Sequence, residues 1–202
     1  MRYGLTSEFQ RLPRDQRPSL VSAPVVVVAP EGELLPVGTA RSWCRATTAD
    51  DALLADLIAE GIEEAEDYSN RVFLTRTLEV TLDGSPGQAI TLTVGPVQTV
   101  VSVTCYDLDN AATVVDPSVY YVDAANGRIV LNSGQTWPTD LRPAASVVVR
   151  YTAGYGAAEA VPRRVLTWLK DYVAARYEHR GDTAERPAIN YGPLDGIRKY
   201  DL

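Results

Sequence analysis

The sequence contains few of the side chains that build catalytic and metal sites, with one histidine and two cysteines in 202 residues. His179 has no neighbour in the sequence to orient it, as general acid–base chemistry usually requires. Cys44 and Cys105 have no second ligand at the spacing of a metal site. We therefore expect no catalytic, metal or cofactor site, and we interpret the cysteines as buried free thiols of a reducing compartment.

Motifs for phosphate binding and nucleophilic catalysis are also absent. The glycines of GYG fit neither GxGxxG nor GxxxxGK, and no GxSxG elbow occurs. Asp107 and Asp109 form a carboxylate pair close to Asp116, and glycoside hydrolysis needs two carboxylates that face each other across a bond. The surrounding YDLDNAA is more typical of a strand that passes into a turn, so we interpret these acids as turn residues.

Positive charge and long apolar runs are scarce as well. The 19 Lys and Arg residues are outnumbered by 26 Asp and Glu, which gives a net charge of -7. A protein that grips DNA phosphates usually has the opposite balance, although an acidic protein can surround DNA without gripping it. The most apolar run, residues 25–29, is far shorter than the ~20 residues of a membrane span. We expect no membrane segment, and the charged residues before this run argue against a signal peptide.

Periodic patterns divide the chain into segments. Residues 1–46 lack sustained periodicity and contain prolines at regular intervals, which predicts an extended N-terminal arm whose VVVV segment could join a sheet edge. Residues 49–70 place apolar side chains on one helical face, which predicts a helix. Thr47 and Asp50 before it resemble a capping box.

Between residues 76 and 152 apolar and polar residues alternate, which predicts an antiparallel β domain. The turn DGSPGQ predicts a hairpin between strands near Leu82 and Ile90, and Asn126 with Gly127 predicts a second hairpin. Residues 146–151 form one more predicted strand. A helix over 161–180 follows, because Pro162 is suited to a first helical turn.

We expect an α+β fold in which two helices form a small core that carries an inserted β domain. The helical core takes residues 47–75 and 153–181, the antiparallel insertion takes 76–152, the arm takes 1–46 and a C-terminal tail takes 182–202. Matching apolar faces predict that the helices pack together through Leu54, Ile58 and Ile62 against Val165, Leu169 and Tyr172.

The first of these helices carries unbalanced charge, with no Lys or Arg before Arg71. Acids in its last turn oppose the helix dipole. The acidic face can simply be solvated, or it can meet basic residues of another subunit or line a channel that repels DNA. For a channel or subunit interface we select four acids: Glu60, Glu63, Glu64 and Asp67.

Four segments, in this order, resemble the head–tail connector, or adaptor, proteins of long-tailed phages and gene transfer agents. They are DDALLADLIAEGIEEAEDYSNRVF, GPVQTVVSVTCYD, DPSVYYVD with the WP that follows it, and VRYTAGYG with VPRRVLTWLKDYVAARYEHR; together they cover about residues 47–181. The resemblance implies a structural virion protein of the phage neck, at the head–tail interface, assembled in the host cytoplasm and not an enzyme. The long N-terminal arm departs from the family pattern.

The resemblance also implies partners. Such proteins form a ring, usually of twelve copies, under the portal protein, and DNA passes through the lumen without tight binding. The ring offers a docking platform for neck and tail-completion proteins, the stopper or terminator. Relatives often dock a C-terminal segment into the portal, so the mixed apolar and basic end of this chain is the predicted portal contact: Ile197, Arg198, Lys199, Tyr200 and Leu202. A frayed terminus is the alternative.

Two other functions stay open at this point. A virion β module that binds a carbohydrate or another surface ligand would use exposed aromatic side chains, which 11 tyrosines and three tryptophans permit. A cell-wall-acting enzyme would need a carboxylate pair in a cleft. Binding to a portal, binding to a glycan and hydrolysis distinguish the three functions.

Overall fold

The computed structural model describes residues 22–181 and 188–199. These residues form two compact units. The β unit comprises residues 22–29, 77–92 and 97–152, and the helical unit comprises the other described residues. The α+β class predicted from the sequence is confirmed. No helix within the described ranges is long and apolar enough to cross a membrane.

The helical unit contains four α-helices: α1 Val37–Cys44, α2 Asp51–Ser69, α3 Arg163–Glu178 and α4 Gly192–Asp195. A capping box precedes α2, since the backbone N–H of Thr47 donates a 3.1 Å hydrogen bond to Oδ2 of Asp50. Asn70 ends α2 in the left-handed conformation, with φ of 52°. The helix predicted over residues 49–70 is confirmed.

The second predicted helix is also confirmed, with slightly different ends. Pro162 lies just before the first residue of α3, and the helix ends at Glu178 instead of reaching Gly181. His179 follows, and its backbone N–H donates to the carbonyl of Ala175 over 3.2 Å. His179 therefore occupies a helix end, as the sequence indicated.

The core of the helical unit lies where α2 packs against α3. Leu54 is completely buried and Leu169 nearly so. Gly61 marks a close approach of the two helices, because a Cβ at this position would lie 2.7 Å from Cδ1 of Leu169. Ile62 is partly buried at the margin of the same core. The packing of these two apolar faces agrees with the sequence pattern.

Within the described residues, eight strands form two sheets: β1 Val25–Val28, β2 Arg76–Leu82, β3 Ala89–Thr91, β4 Val97–Tyr106, β5 Ala112–Val114, β6 Tyr120–Asp123, β7 Arg128–Leu131 and β8 Val147–Ala153. The larger sheet has the strand order β1-β2-β8-β4-β5, and the smaller has the order β3-β7-β6. Side chains of β8 alternate between buried and less buried, starting with Val147 and ending with Ala153. This alternation is the period of two seen in the sequence.

The hairpin predicted at DGSPGQ is wrong, because β2 and β3 belong to different sheets. β2 pairs with β1 and β8, so both of its edges are occupied. β3 pairs instead with β7, where Ile90 lies opposite Ile129. The second predicted hairpin is confirmed as β6 and β7. Asp123 pairs with Arg128, and Gly127 has the positive φ, 64°, that the turn needs.

The N-terminal region differs in part from the extended arm that its prolines predicted. Residues 25–28 are extended and form β1, which pairs with β2 of the same chain. Val37–Cys44, however, is helical. Leu34, Leu35 and Ala40 are buried in the core of the helical unit, which explains why this stretch is ordered as part of that unit.

Candidate interaction surfaces

The acids considered for catalysis serve local backbone structure. In the residues that the structure describes, no group of three or more His, Cys, Asp or Glu side chains could hold a metal ion. Oδ1 of Asp107 accepts hydrogen bonds from the backbone N–H groups of Asp109 and Ala111, at 2.9 and 2.8 Å. Asp116 accepts from the N–H of Ser118 at 2.8 Å, which lowers the pKa of its carboxyl. The interpretation of Asp107 and Asp109 as turn residues is confirmed, and Asp116 begins a short 3-10 helix.

Two of the four selected acids of α2 contribute to contacts inside the helical unit. The hydroxyl of Tyr172 donates to Oε1 of Glu60 over 2.7 Å. The hydroxyl of Tyr191 donates to Oε1 of Glu64. That hydrogen bond, followed by burial, raises the pKa of Tyr191 to about 12, so the phenol remains a donor at neutral pH.

The other two acids, Glu63 and Asp67, are exposed. They lie four residues apart, so they share one face of α2. The sequence pattern treated all four acids as one surface. In the structure, Glu60 and Glu64 accept hydrogen bonds from tyrosines, while Glu60, Glu63 and Asp67 are exposed. The exposed acids are the part of the acidic face that a neighbouring subunit or a DNA channel could meet.

Another acid of α2, Glu66, forms a largely buried ion pair that the sequence did not predict. Its Oε1 accepts from Nη2 of Arg76 over 2.6 Å and from the N–H of Phe73 over 2.8 Å. Burial raises the pKa of the Glu66 carboxyl, and the two hydrogen bonds oppose that rise. A separation of ten residues is not a helical pair spacing, so no sequence signal indicates this contact.

The Glu66–Arg76 pair and Glu33 are the charged residues of a groove of about 290 Å³ whose other lining residues are apolar. Leu34, Ile58 and Phe73 contribute to its apolar lining. Nε of Arg76 is buried, and no hydrogen-bond partner lies within reach of it among the described residues. The groove therefore combines apolar walls with one unused donor.

The C-terminal residues 188–199 pack against the helical unit. Leu194 of α4 is completely buried in its core. Nε1 of Trp168 donates to the carbonyl of Asn190 over 2.9 Å. The ring of Tyr191 stacks on that of Tyr68, with centroids 4.3 Å apart. The sequence predicted none of these contacts, although Tyr191 and Leu194 are three residues apart, which is the spacing of one helix face.

Three of the predicted portal-binding residues lie at the C-terminal end of α2. The carbonyl of Ile197 accepts from Nε of Arg71 over 2.9 Å. The guanidinium of Arg198 lies 4.6 Å from the ring centroid of Tyr68. The N–H of Lys199 donates to the carbonyl of Ser69, the last residue of α2, over 2.8 Å.

Tyr200 and Leu202, the other two residues predicted to bind the portal, lie outside the described residues. The backbone of Lys199, the last described residue, is held at the end of α2. The tail and the acidic helix, which the sequence analysis treated as separate features, are therefore in direct contact.

The edges of the larger sheet carry most of the exposed apolar side chains. Nine large hydrophobic side chains are strongly exposed within the described ranges, and four of them are the valines of β1. Three more lie on the hairpin of β4 and β5: Val101, Leu108 and Val114. Both ends of this sheet therefore offer apolar surface.

This chain resembles solved structures, whereas no sequence family matches it. No protein-family model matches the chain, and no curated protein matches it. A chain in the neck of an empty gene transfer agent particle, computed with C6 symmetry, matches with a TM-score of 0.73 at 26% identity, over 90% of this chain and 97% of the other. The chain shares its fold with a neck chain of a gene transfer agent.

Two further solved chains support the same fold with the same coverage. One belongs to the virion of a native gene transfer agent particle, with a TM-score of 0.72 at 23% identity. The other belongs to the neck of a native particle computed with C12 symmetry, with a TM-score of 0.72 at 24% identity. Because each match covers 90% of this chain, it includes most of the β unit as well as most of the helical unit.

Proposed function

We propose that this chain is a structural virion protein of the neck of a tailed phage or gene transfer agent. The observation that carries the proposal is the match to a gene transfer agent neck chain, at 26% identity and over nearly the whole length of both chains. The sequence segments that resemble adaptor proteins support it independently. Two of the acids considered for catalysis, Asp107 and Asp116, accept hydrogen bonds from nearby backbone N–H groups.

Within the neck, the proposed role is that of the head–tail connector, or adaptor. Twelve copies form a ring under the portal, extend the DNA channel and provide the docking platform for the stopper or terminator. The similar chains come from necks computed with C6 and with C12 symmetry, and a twelvefold ring satisfies both symmetries. These symmetries support a closed ring built from one repeated contact.

The proposed channel surface includes the exposed acids Glu63 and Asp67. Negative side chains repel the DNA backbone, whereas Lys and Arg would bind phosphates and slow its passage. The net charge of -7 favours the same weak interaction. We therefore place the exposed part of the acidic face toward the lumen or a subunit boundary close to it.

The proposed portal contact starts at Arg198, which is exposed, and continues into Tyr200 and Leu202. Ile197 and Lys199 fix the starting point, because their backbone groups bind Arg71 and Ser69 of the same chain. This division of roles changes the appropriate test. A deletion of residues 190–202 would remove buried Leu194 together with the contact residues, so a shorter deletion is needed.

A cryo-EM map of the particle neck tests the proposed function directly. Particles carrying an N-terminal tag on this chain keep the proposed portal contact intact. We expect one ring of tagged chains between the portal and the tail. Absence of the chain from purified particles would refute the neck role. Glycan binding at the tail tip, or hydrolysis of cell wall, would support the other functions instead.

A matched pair of variants tests the portal contact. We expect deletion of residues 200–202, combined with Arg198→Ala, to weaken binding to the purified portal while the thermal unfolding temperature falls no further than in the Arg180→Ala control, because both arginines lie over tyrosine rings. Arg180→Ala serves as the control, since Arg180 is an exposed arginine outside the C-terminal segment. Portal binding that is unchanged in the first variant would refute the contact and leave the neck role open.

A further inference from the structure

The larger sheet ends in two strands that, within the described residues, pair on one side only: β1 and β5. An edge strand presents unpaired backbone N–H and C=O groups that can bind another strand. Proteins often protect such edges with charged side chains. The sequences of these two edges, VVVV and ATV, contain no charged residue. Each edge is therefore chemically able to accept a further strand.

Exposed apolar side chains coincide with these unprotected edges. Val25 is 64% exposed and Val114 is 65% exposed. Every residue of β1 and every residue of β5 is exposed, although both strands belong to a sheet with a buried core. Contiguous apolar surface of this kind is typical of a surface that a partner covers.

The two edge strands run in the same direction. The start of β8 lies at the end of β2, because the hydroxyl of Ser146 donates to the carbonyl of Leu82 over 3.2 Å. It also lies at the end of β4, because the N–H of Tyr106 donates to the carbonyl of Ser146 over 2.8 Å. β8 is therefore antiparallel to both of these neighbours. Since β1 is antiparallel to β2 and β5 is antiparallel to β4, β1 and β5 are parallel to each other.

We propose that β1 of one copy pairs with β5 of the next copy, so that the larger sheet continues from subunit to subunit around the ring. This inference rests on the proposed ring. A cyclic ring needs a contact between two different surfaces of the same chain, and the opposite edges of one sheet meet that need. A small rotation between neighbours preserves strand direction, so the new strand pair is parallel.

The apolar composition of both edges fits this pairing. In a joined sheet, valines of β1 and Val114 of the next copy lie side by side on neighbouring strands and shield each other from water. No like charges face each other at the junction, because neither strand carries a charge. If β1 instead paired with β1 of a second copy across a twofold axis, the two strands would be antiparallel and the assembly would contain only two copies.

Disulfide cross-linking in assembled necks tests the junction. Val114→Cys is combined in turn with a cysteine at each position of Val25–Val28, in a chain that also carries Cys44→Ser. Neighbouring strands bring Cα atoms within the range of a disulfide. We expect at least one combination to give, after oxidation, a ladder of dimers, trimers and larger species on non-reducing gels. Val114→Cys combined with Tyr121→Cys, on a strand of the smaller sheet, is the mismatched control and should give no ladder.

Each other outcome has a distinct meaning. Dimers from a single β1 cysteine would show a twofold contact and overturn the proposed pairing. Necks that contain the chain but give no ladder with any combination would also overturn it, while the neck role would stand. Absence of the chain from necks would refute the proposed function itself.

A cryo-EM map of necks with the native chain decides the question even if cysteine variants fail to assemble. We expect continuous β-sheet density across each subunit boundary, with β1 and β5 parallel. Density that shows β1 covered by a different neck protein, or by residues 1–21 of its own chain, would overturn the proposal.

Discussion

The hydroxyl of Tyr172 in α3 donates a 2.7 Å hydrogen bond to Oε1 of Glu60 in α2, although the two residues are 112 positions apart in the chain. Burial, together with this hydrogen bond, raises the pKa of Tyr172 to about 12, so the phenol stays protonated at neutral pH. An acid selected from the sequence as a surface charge thus also joins the two main helices. Strands β2 to β8 lie between these helices in the sequence, so only folding brings the pair together.

Leu169→Ala should destabilise the chain strongly. Leu169 is 1% exposed and packs where Gly61 lets α2 approach α3. We expect a loss of about 2–5 kcal/mol in the free energy of unfolding, from lost burial and the cavity left behind. Urea denaturation measures it. Thr167→Ala, at an exposed position of the same helix, is the control and should change stability by less than about 0.5 kcal/mol. Equal effects of the two substitutions would contradict the packing.

Arg76→Met should cost much more stability than the same substitution at a surface ion pair. It leaves the largely buried Glu66 carboxylate without its cation, for which we expect a loss of about 2–4 kcal/mol, less than for a fully buried charge. The control is Arg150→Met, because Arg150 pairs with Glu79 at the surface, where a loss below about 1 kcal/mol is expected. Chemical denaturation of both variants gives the comparison, and a smaller loss at Arg76 would refute the buried pair.

The raised pKa of Glu66 predicts a defined pH dependence. Burial raises it above the usual value of 4.5, so the folded chain holds the proton more tightly than the unfolded chain does. The resulting stabilisation is fully present below about pH 4.5 and is lost as the pH rises through the pKa of the folded state. Glu66→Gln removes this titration.

The free energy of unfolding of the native chain, relative to that of the Glu66→Gln variant, should therefore fall as the pH rises above about 4.5 and through the raised pKa of the folded state. Urea denaturation at a series of pH values measures the difference. Glu63→Gln, at an exposed acid of the same helix, is the control and should show a weaker trend. A difference that increases with pH would mean that the ion pair with Arg76 lowers the pKa of Glu66 by more than burial raises it.

Truncations of different length should show which residues of the tail stabilise the fold. Deletion of residues 190–202 removes the buried Leu194 and the Tyr191–Glu64 hydrogen bond, so the thermal unfolding temperature should fall clearly. Leu194→Ala alone should cost about 2–5 kcal/mol. Deletion of residues 200–202 should leave the unfolding temperature unchanged. Equal unfolding temperatures for the long and the short deletion would refute the anchoring role.

The purified protein should bind duplex DNA weakly. Its net charge of -7 and the exposed acids of α2 oppose contact with phosphates. We expect no submicromolar Kd near physiological salt in a fluorescence anisotropy titration. A Glu63→Lys, Asp67→Lys variant should bind more tightly and with steeper salt dependence. Tight binding by the native chain would favour a DNA-gripping role over passive passage.

Local sequence signals predicted the main elements because they depend on neighbouring residues. Apolar residues with a period of 3.6 predicted α2 and α3, and apolar residues with a period of two predicted the strands. Thr47 and Asp50 predicted the capping box. The Asn126–Gly127 turn connects β6 and β7 as expected, since a hairpin is a local structure. The portal contact and the roles of the exposed acids remain predictions.

Only the tertiary structure decided which elements meet. It placed β2 and β3 in different sheets, because strand partners depend on distant residues and on which edges are already occupied. It also paired Glu66 with Arg76 and buried Leu194 of the tail. The sequence by itself determined which segments become helices or strands, and it showed that catalytic side chains are scarce. Burial and long-range pairing, which no local period encodes, determined how those elements form surfaces.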